Sequence, residues 1–283
     1  MKGSIGVFDS GYGGLTVLKS IRESMPQYDY IYLGDNARAP YGTKDFETVL
    51  EYTLQAVKKL FSLGCPLIIL ACNTASAKAL RTIQQTYIAD VCPDKRVLGV
   101  IRPTTEIVGK LTKTNHIAVL ATPGTIKSES YNIEINKFYP ECTVTGLACP
   151  SWVPLVESGK TESEEADIEV EKKINELFSI DKNIDTIVLG CTHYPLLFDK
   201  INKYCQEYKV QNSDIKTQKL NIISQGTYVA DSLKDYLQRH QNMEERLSKG
   251  ESLEFYTTGD AICFENQGSK IYKQKINVKS IVL

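Results

Sequence analysis

The sequence predicts an α/β fold with largely parallel sheets. Three observations carry this. Apolar, strand-like runs alternate with helix-like runs along the chain, the pattern of parallel strands joined by crossover helices. The length of 283 residues and the 42% hydrophobic content suit one large or two medium domains with packed cores. One local plan also occurs twice. Pro66-Leu67-Ile68-Ile69-Leu70 runs into Ala71-Cys72-Asn73-Thr74-Ala75-Ser76, and Asp185-Thr186-Ile187-Val188-Leu189 runs into Gly190-Cys191-Thr192-His193. Each copy is a buried strand ending in a cysteine, followed by polar residues and a helix. The two cysteines are 191 − 72 = 119 residues apart, about one domain of chain.

Residues 4–8 read as a short buried strand, and the turn Asp9-Ser10-Gly11-Tyr12-Gly13-Gly14 leads to a helix over 15–24. Residues 30–33 are a second strand, closed by Gly34-Asp35-Asn36 and a loop through Ala39-Pro40-Tyr41-Gly42. Asp45 N-caps a helix over 46–63. The Cys72 strand is followed by a helix over 74–87. Residues 96–101 are a strand closed by Arg102-Pro103-Thr104, and a helix covers 105–111. Residues 116–121 are a strand, leading through Thr122-Pro123-Gly124-Thr125 to a helix that ends near 138. A strand over 142–147 and an irregular stretch over 148–160 come next. The charges of the amphipathic helix over 162–178 form a solvated face. After the Cys191 strand the pattern gives a helix over 196–207, a polar linker over 209–219, a strand over 221–223 and a helix over 226–239. Residues 241–251 read as a solvated loop or frayed helix, and 253–257 and 275–282 as edge strands. No short-period repeat occurs, which excludes solenoids and propellers.

Composition narrows the function. The 33 basic and 34 acidic residues leave a net charge of −1, and no run of five like charges occurs. That speaks against a nucleic-acid footprint. The start, Met1-Lys2-Gly3-Ser4-Ile5, has no apolar core of a secretory signal, and no window reaches the ~18 apolar residues of a membrane span. A cytoplasmic location is the expectation. Eight cysteines occur without a C-x-x-C pair, so free thiols are expected. Cys65, Cys149, Cys205 and Cys263 read as small buried hydrophobes, as do Cys92 and Cys142. No G-x-S-x-G, H-E-x-x-H or metal-spaced carboxylate cluster is present.

The chemistry concentrates in the strand-end loops. Ligands of open α/β sheets bind at the carboxyl ends of strands. A thiol at a helix N-terminus is biased toward thiolate by the helix dipole. The turn over 9–14 exposes N–H groups suited to an anion, but it has neither dinucleotide nor Walker spacing, so a carboxylate fits best. Asp9 either faces a substrate ammonium, lies beside a thiol, or simply caps the helix with Ser10. Asn73-Thr74 and Thr192-His193 either cap helices or line a polar pocket. His193 next to Cys191 suits proton transfer, against the alternative of a structural histidine. What remains is paired-thiol acid/base or nucleophilic chemistry on a small carboxylate.

Five stretches, in this order, resemble the glutamate racemases, cofactor-independent enzymes of bacterial cell-wall synthesis. They are Phe8-Asp9-Ser10-Gly11-Tyr12-Gly13-Gly14-Leu15, Leu33-Gly34-Asp35-Asn36-Ala37-Arg38-Ala39-Pro40-Tyr41-Gly42, Ala71-Cys72-Asn73-Thr74-Ala75-Ser76, Pro154-Leu155-Val156-Glu157 and Leu189-Gly190-Cys191-Thr192-His193-Tyr194-Pro195. The resemblance implies two similar α/β domains, each a mostly parallel sheet flanked by helices, with the active site in the cleft between them. It implies a first domain of 1–98 plus 213–283 and a second of 99–212. It makes Cys72 and Cys191 the two acid/base catalysts. Asp9, Ser10, Tyr41, Gly42, Asn73, Thr74, Thr192 and His193 would bind substrate, with Asp9 and His193 also aiding deprotonation of the thiols. Glu157 matches a further family carboxylate. Implied too are no cofactor and no metal, glutamate as the small-molecule partner, no nucleic acid or membrane partner, and a homodimer as the assembly to test. Two departures stand out: Thr104 replaces the usual glycine, and Ser224-Gln225-Gly226 replaces Asp-Ser-Gly. They bear on hinge geometry, subunit contacts and effector response. The rival readings are a racemase of aspartate or another amino or hydantoin substrate, a thiol hydrolase using Cys191 with His193, and a non-catalytic amino-acid-binding protein.

Overall fold

The computed structural model describes residues 2–211 and 220–283. Its ten strands are β1 (Ile5–Asp9), β2 (Tyr30–Gly34), β3 (Leu67–Leu70), β4 (Arg96–Gly99), β5 (His116–Ala121), β6 (Thr143–Ala148), β7 (Thr186–Gly190), β8 (Asn221–Ile223), β9 (Leu253–Thr257) and β10 (Val278–Ser280). The chain divides into two compact units, one of residues 1–100 with 226–283, the other of residues 101–225. Each has its own parallel sheet flanked by helices.

The sheet of the first unit has the order β10-β9-β2-β1-β3-β4. Every residue of β1, β2 and β3 is buried, as central parallel strands covered on both faces require. The two-residue period of a strand divides them between two core layers. Ile5, Val7, Tyr30, Tyr32, Leu67 and Ile69 enter one layer, and Phe8, Ile31, Leu33, Ile68 and Leu70 the other. The first layer is completed by Val229, Leu233, Leu237, Phe264 and Tyr272, so the C-terminal segment supplies core that the N-terminal segment lacks.

The sheet of the second unit has the order β6-β5-β7-β8. Its core includes Trp152, Phe178 and Tyr194, with the Trp152 and Tyr194 rings edge to face at 4.8 Å. β8 pairs with β7 and so belongs to this unit. The unit ends at residue 225, whereas the sequence reading sets the return at 213, because β8 buries Ile223 against the second sheet.

Several elements differ from expectation. The helix Ile101–Leu111 starts four residues early, since Pro103 sits in its first turn, where a missing N–H is harmless. The expected single helix over 74–87 is broken into Asn73–Lys78, Leu80–Ile83 and a π turn over Gln84–Ile88. The irregular stretch contains a short helix, Trp152–Glu157. A helix at Ala261–Tyr272 goes unread in the sequence, although Asp260 caps it by accepting a 2.6 Å bond from the Cys263 N–H. That helix leaves Cys263 exposed, against its reading as a buried hydrophobe; Cys65, Cys149 and Cys205 are buried as expected. Most of the expected linker lies outside the described residues. No helix among the described residues is long and apolar enough to cross a membrane.

Strand order explains the repeated cysteine plan. In the first sheet β2 lies on one side of β1 and β3 on the other, and in the second β6 and β7 flank β5 in the same way. Both cysteines therefore follow the third strand of their unit, beside a switch point of the topology, where α/β sheets bind ligands.

Candidate active site

In the first unit, the Ala71 and Cys72 N–H groups both donate to the Phe8 carbonyl, at 2.8 and 3.4 Å. This ties the loop after β3 to the loop after β1. Cys72 is itself the N-cap of the helix Asn73–Lys78, its Sγ accepting from the Ala75 N–H at 3.4 Å. Cys72 Sγ also donates to Ser10 Oγ at 3.5 Å. The thiol is buried, with the Ala75 N–H aimed at its sulfur. Asn73 and Thr74 are thus the first two helical residues rather than caps, and both are buried beside the sulfur.

Asp9 is fully buried at the end of β1, and its Oδ1 accepts from the Gly11 N–H at 2.9 Å. The helix Leu15–Ser24 has Gly14 as N-cap and no side-chain cap bond, so Asp9 and Ser10 do not cap it. Gly14 is required here: a Cβ at that position would lie 2.5 Å from Asp9 Cβ. The sheet end holds a second buried carboxylate, Asp35. It accepts from Arg38 Nε at 2.6 Å, from Thr258 Oγ1 at 2.7 Å and from the Tyr41 hydroxyl. Burial, and then Asp35, push the Tyr41 phenol far above its ordinary range, so it stays a neutral donor. The Tyr41–Thr43 turn that carries Gly42 is fastened to the Cys72 helix through Lys78 Nζ, which donates to the Lys44 carbonyl at 2.5 Å.

The second unit holds its thiol differently. Cys191, Thr192 and His193 form a buried turn after β7. A 3-10 turn, Tyr194–Leu197, comes next, and the α-helix begins only at Phe198. Cys191 therefore does not sit at an α-helix N-terminus; the helix expected from residue 196 begins at Phe198, and Pro195 lies in the tighter turn before it. An imidazole takes the helix's place. His193 Nδ1 is 3.8 Å from Cys191 Sγ, and His193 Nε2 is 3.2 Å from Glu157 Oε1. Burial alone would pull the His193 pKa down, but Cys191 and Glu157 outweigh it and push it up to about 10. The upward shift favours the imidazolium, the form that donates to a neighbouring sulfur. By contrast, burial pushes the Cys65 and Cys205 thiols up to about 12, as structural thiols require.

The structure thus gathers Cys72, Asp9, Ser10, Asn73 and Thr74 at the end of one sheet, with the Tyr41-Gly42 turn pinned to the same helix. It gathers Cys191, Thr192, His193 and Glu157 at the end of the other. The sequence reading missed Thr122 and Thr125 as site candidates. They are buried at the end of β5, their hydroxyls 3.1 Å apart, where the second unit matches the Asp9-Ser10 turn of the first. The available signal was the T-P-G-T turn directly after an apolar strand.

The family described as Asp/Glu/Hydantoin racemase matches residues 5–215. A glutamate racemase of Persephonella marina is 42% identical over 228 residues, 79% of this chain and 85% of that protein. The chain belongs to the glutamate racemase family. This glutamate racemase family member is accordingly an isomerase, an amino-acid racemase, which sets aside the hydrolase and the non-catalytic binding protein. The crystal structure of a glutamate racemase isoform from Bacillus anthracis superposes with a TM-score of 0.86 at 31% identity, covering 99% of this chain and 98% of that one. The glutamate racemase of Francisella tularensis in complex with D-glutamate gives 0.84 at 30% identity, covering 99% and 98%.

Proposed function

We propose that the protein interconverts L- and D-glutamate without a cofactor, by proton transfer at Cα between Cys72 and Cys191, and so supplies D-glutamate for peptidoglycan. The observation that supports this most is that each unit carries one buried thiol at the same point of its topology, with a polar group at its sulfur: the Ala75 N–H at Cys72 and the His193 ring at Cys191. Inversion at Cα needs a base on one face and an acid on the other. One cysteine acts as thiolate and removes the proton; the other acts as thiol and returns one to the opposite face. The roles exchange with direction, so the reading requires both sulfurs to reach one Cα.

The substrate is a dicarboxylate with one ammonium. Asp9 suits the ammonium. The hydroxyls of Ser10, Thr74 and Thr192, the Asn73 amide, and the backbone of Tyr41 and Gly42 suit the carboxylates. Thr122 and Thr125 add donors on the second unit. Donors around the α-carboxylate stabilise the charge that develops as the weakly acidic Cα proton leaves. Exclusion of water strengthens those contacts. His193, oriented by Glu157, keeps Cys191 ready as thiolate and gives up a proton when that sulfur must act as an acid.

The test is incubation of the purified protein with L-glutamate in D₂O and no cofactor. D-glutamate carrying deuterium at Cα should accumulate, and aspartate should turn over far more slowly. Full racemisation by Cys191→Ala would sink the two-thiol mechanism, and faster turnover of aspartate would move the substrate assignment to a sister racemase.

A further inference from the structure

The two places where this chain departs from the pattern it resembles, Thr104 and Gln225, touch each other. Gln225 Nε2 donates to Thr104 Oγ1 at 3.3 Å and to the Tyr131 hydroxyl at 2.7 Å. All three side chains are buried, and the contacts span 121 and 94 residues of sequence. A glycine at 104 would have no hydroxyl to offer, and a serine at 225 would be too short to span the two partners.

The network lies at the Cys191 end of the second sheet. β7 and β8 pair in register, Val188 with Ile223. Gln225 follows that last pair by two residues, as Gly190, the residue before Cys191, does on β7. On its other side Gly190 pairs with Ala121 of β5, whose loop leads on to the helix Ser130–Phe138 that carries Tyr131. Burial holds the Tyr131 phenol far above its ordinary range, against the lowering effect of the Gln225 hydrogen bond, and Cys191 adds to the upward push. Gln225, just past the end of the strand beside β7, therefore bridges the first turn of one helix and the start of another.

We propose that Gln225, Thr104 and Tyr131 are positioning residues for Cys191: their buried hydrogen bonds hold the strand end that carries this thiol, and thereby set its place for proton transfer at Cα. The proposal rests on the two-thiol reading above for its catalytic consequence, but its effect on the thiol itself can be measured without turnover. Cys72, in the other unit, is the internal control.

The experiment combines steady-state kinetics with site-resolved alkylation. Gln225→Leu and Tyr131→Phe are assayed for racemisation in both directions. The same proteins are treated with iodoacetamide, and labelling of Cys191 and Cys72 is followed by peptide mass spectrometry against pH. Loss of a buried bond of this kind should lower kcat about tenfold and raise the Cys191 labelling rate about tenfold, with Cys72 unchanged. Thr104→Ser keeps the hydroxyl and should keep native values in both assays. Equal changes at both thiols would show a network that merely stabilises the fold, and would overturn the proposal. So would an unchanged Cys191 labelling profile, whatever happens to kcat. Failure of the two-thiol reading shows separately, as racemisation by Cys191→Ala.

Discussion

Cys191 Sγ lies 3.8 Å from His193 Nδ1, and the far nitrogen of that ring lies 3.2 Å from Glu157 Oε1. Cys72 Sγ instead meets a backbone N–H and the Ser10 hydroxyl. The two thiols of one repeated plan are thus held by different chemistry, an imidazolium in one unit and the start of a helix in the other.

Removal of either sulfur should end the reaction. Cys72→Ser and Cys191→Ser should each lower kcat by roughly 10³-fold or more, since a serine hydroxyl is a far weaker acid than a thiol. Chiral chromatography of the products measures this in both directions.

Removal of the imidazole should divide the directions. His193→Asn should slow racemisation by about 10²–10³-fold, the range of a lost general acid/base group. The pH profile should shift most in the direction that starts with Cys191 as thiolate. Glu157→Gln, which leaves the ring in place without its carboxylate, should cost less and lower the pKa of His193, readable by NMR titration of the imidazole.

His193 also makes stability depend on pH. Its folded pKa of about 10 lies above the ordinary value of 6.5, so the folded chain keeps a proton that the unfolded chain releases. The contribution is complete below pH 6.5 and declines as pH rises through about 10. Urea unfolding between pH 6 and pH 10 should show the wild type losing stability relative to His193→Asn across that window.

Gly14 should tolerate no side chain. Gly14→Ala sets a methyl 2.5 Å from Asp9 Cβ, so the Asp9 loop must move. Overpacking of this kind costs about 1–3 kcal/mol. Racemisation should fall with it, as a rise in KM for glutamate if Asp9 receives the ammonium.

Phe264 tests the role of the C-terminal segment. It is fully buried in the first core layer against Tyr12 and Tyr32. Phe264→Ala should destabilise the protein by about 3–5 kcal/mol, as large core truncations do. Thermal or urea denaturation reads this directly.

The alternation of buried runs and amphipathic helices, and the two Leu-x-Cys strand ends, were legible without coordinates. Period and burial are local properties, and a strand such as Leu67–Leu70 is apolar at every residue because both of its faces are covered. The two Cys-polar-polar strand ends were legible for the same reason, although a thiol after a strand is not by itself a mark of chemistry, since Cys149 follows β6 and is a buried structural thiol. Long-range contacts were not. No local signal says that Ser10 lies beside Cys72, that Glu157 reaches His193 across 36 residues, or that Gln225 meets Thr104 across 121. Nor does the pattern around Cys191 reveal that a 3-10 turn separates it from the following helix. Sequence by itself determined the layered α/β class, the two strand-end thiols and the polar residues next to them. Tertiary structure alone decided which groups surround each thiol, because strand order brings together chain segments that are remote in sequence.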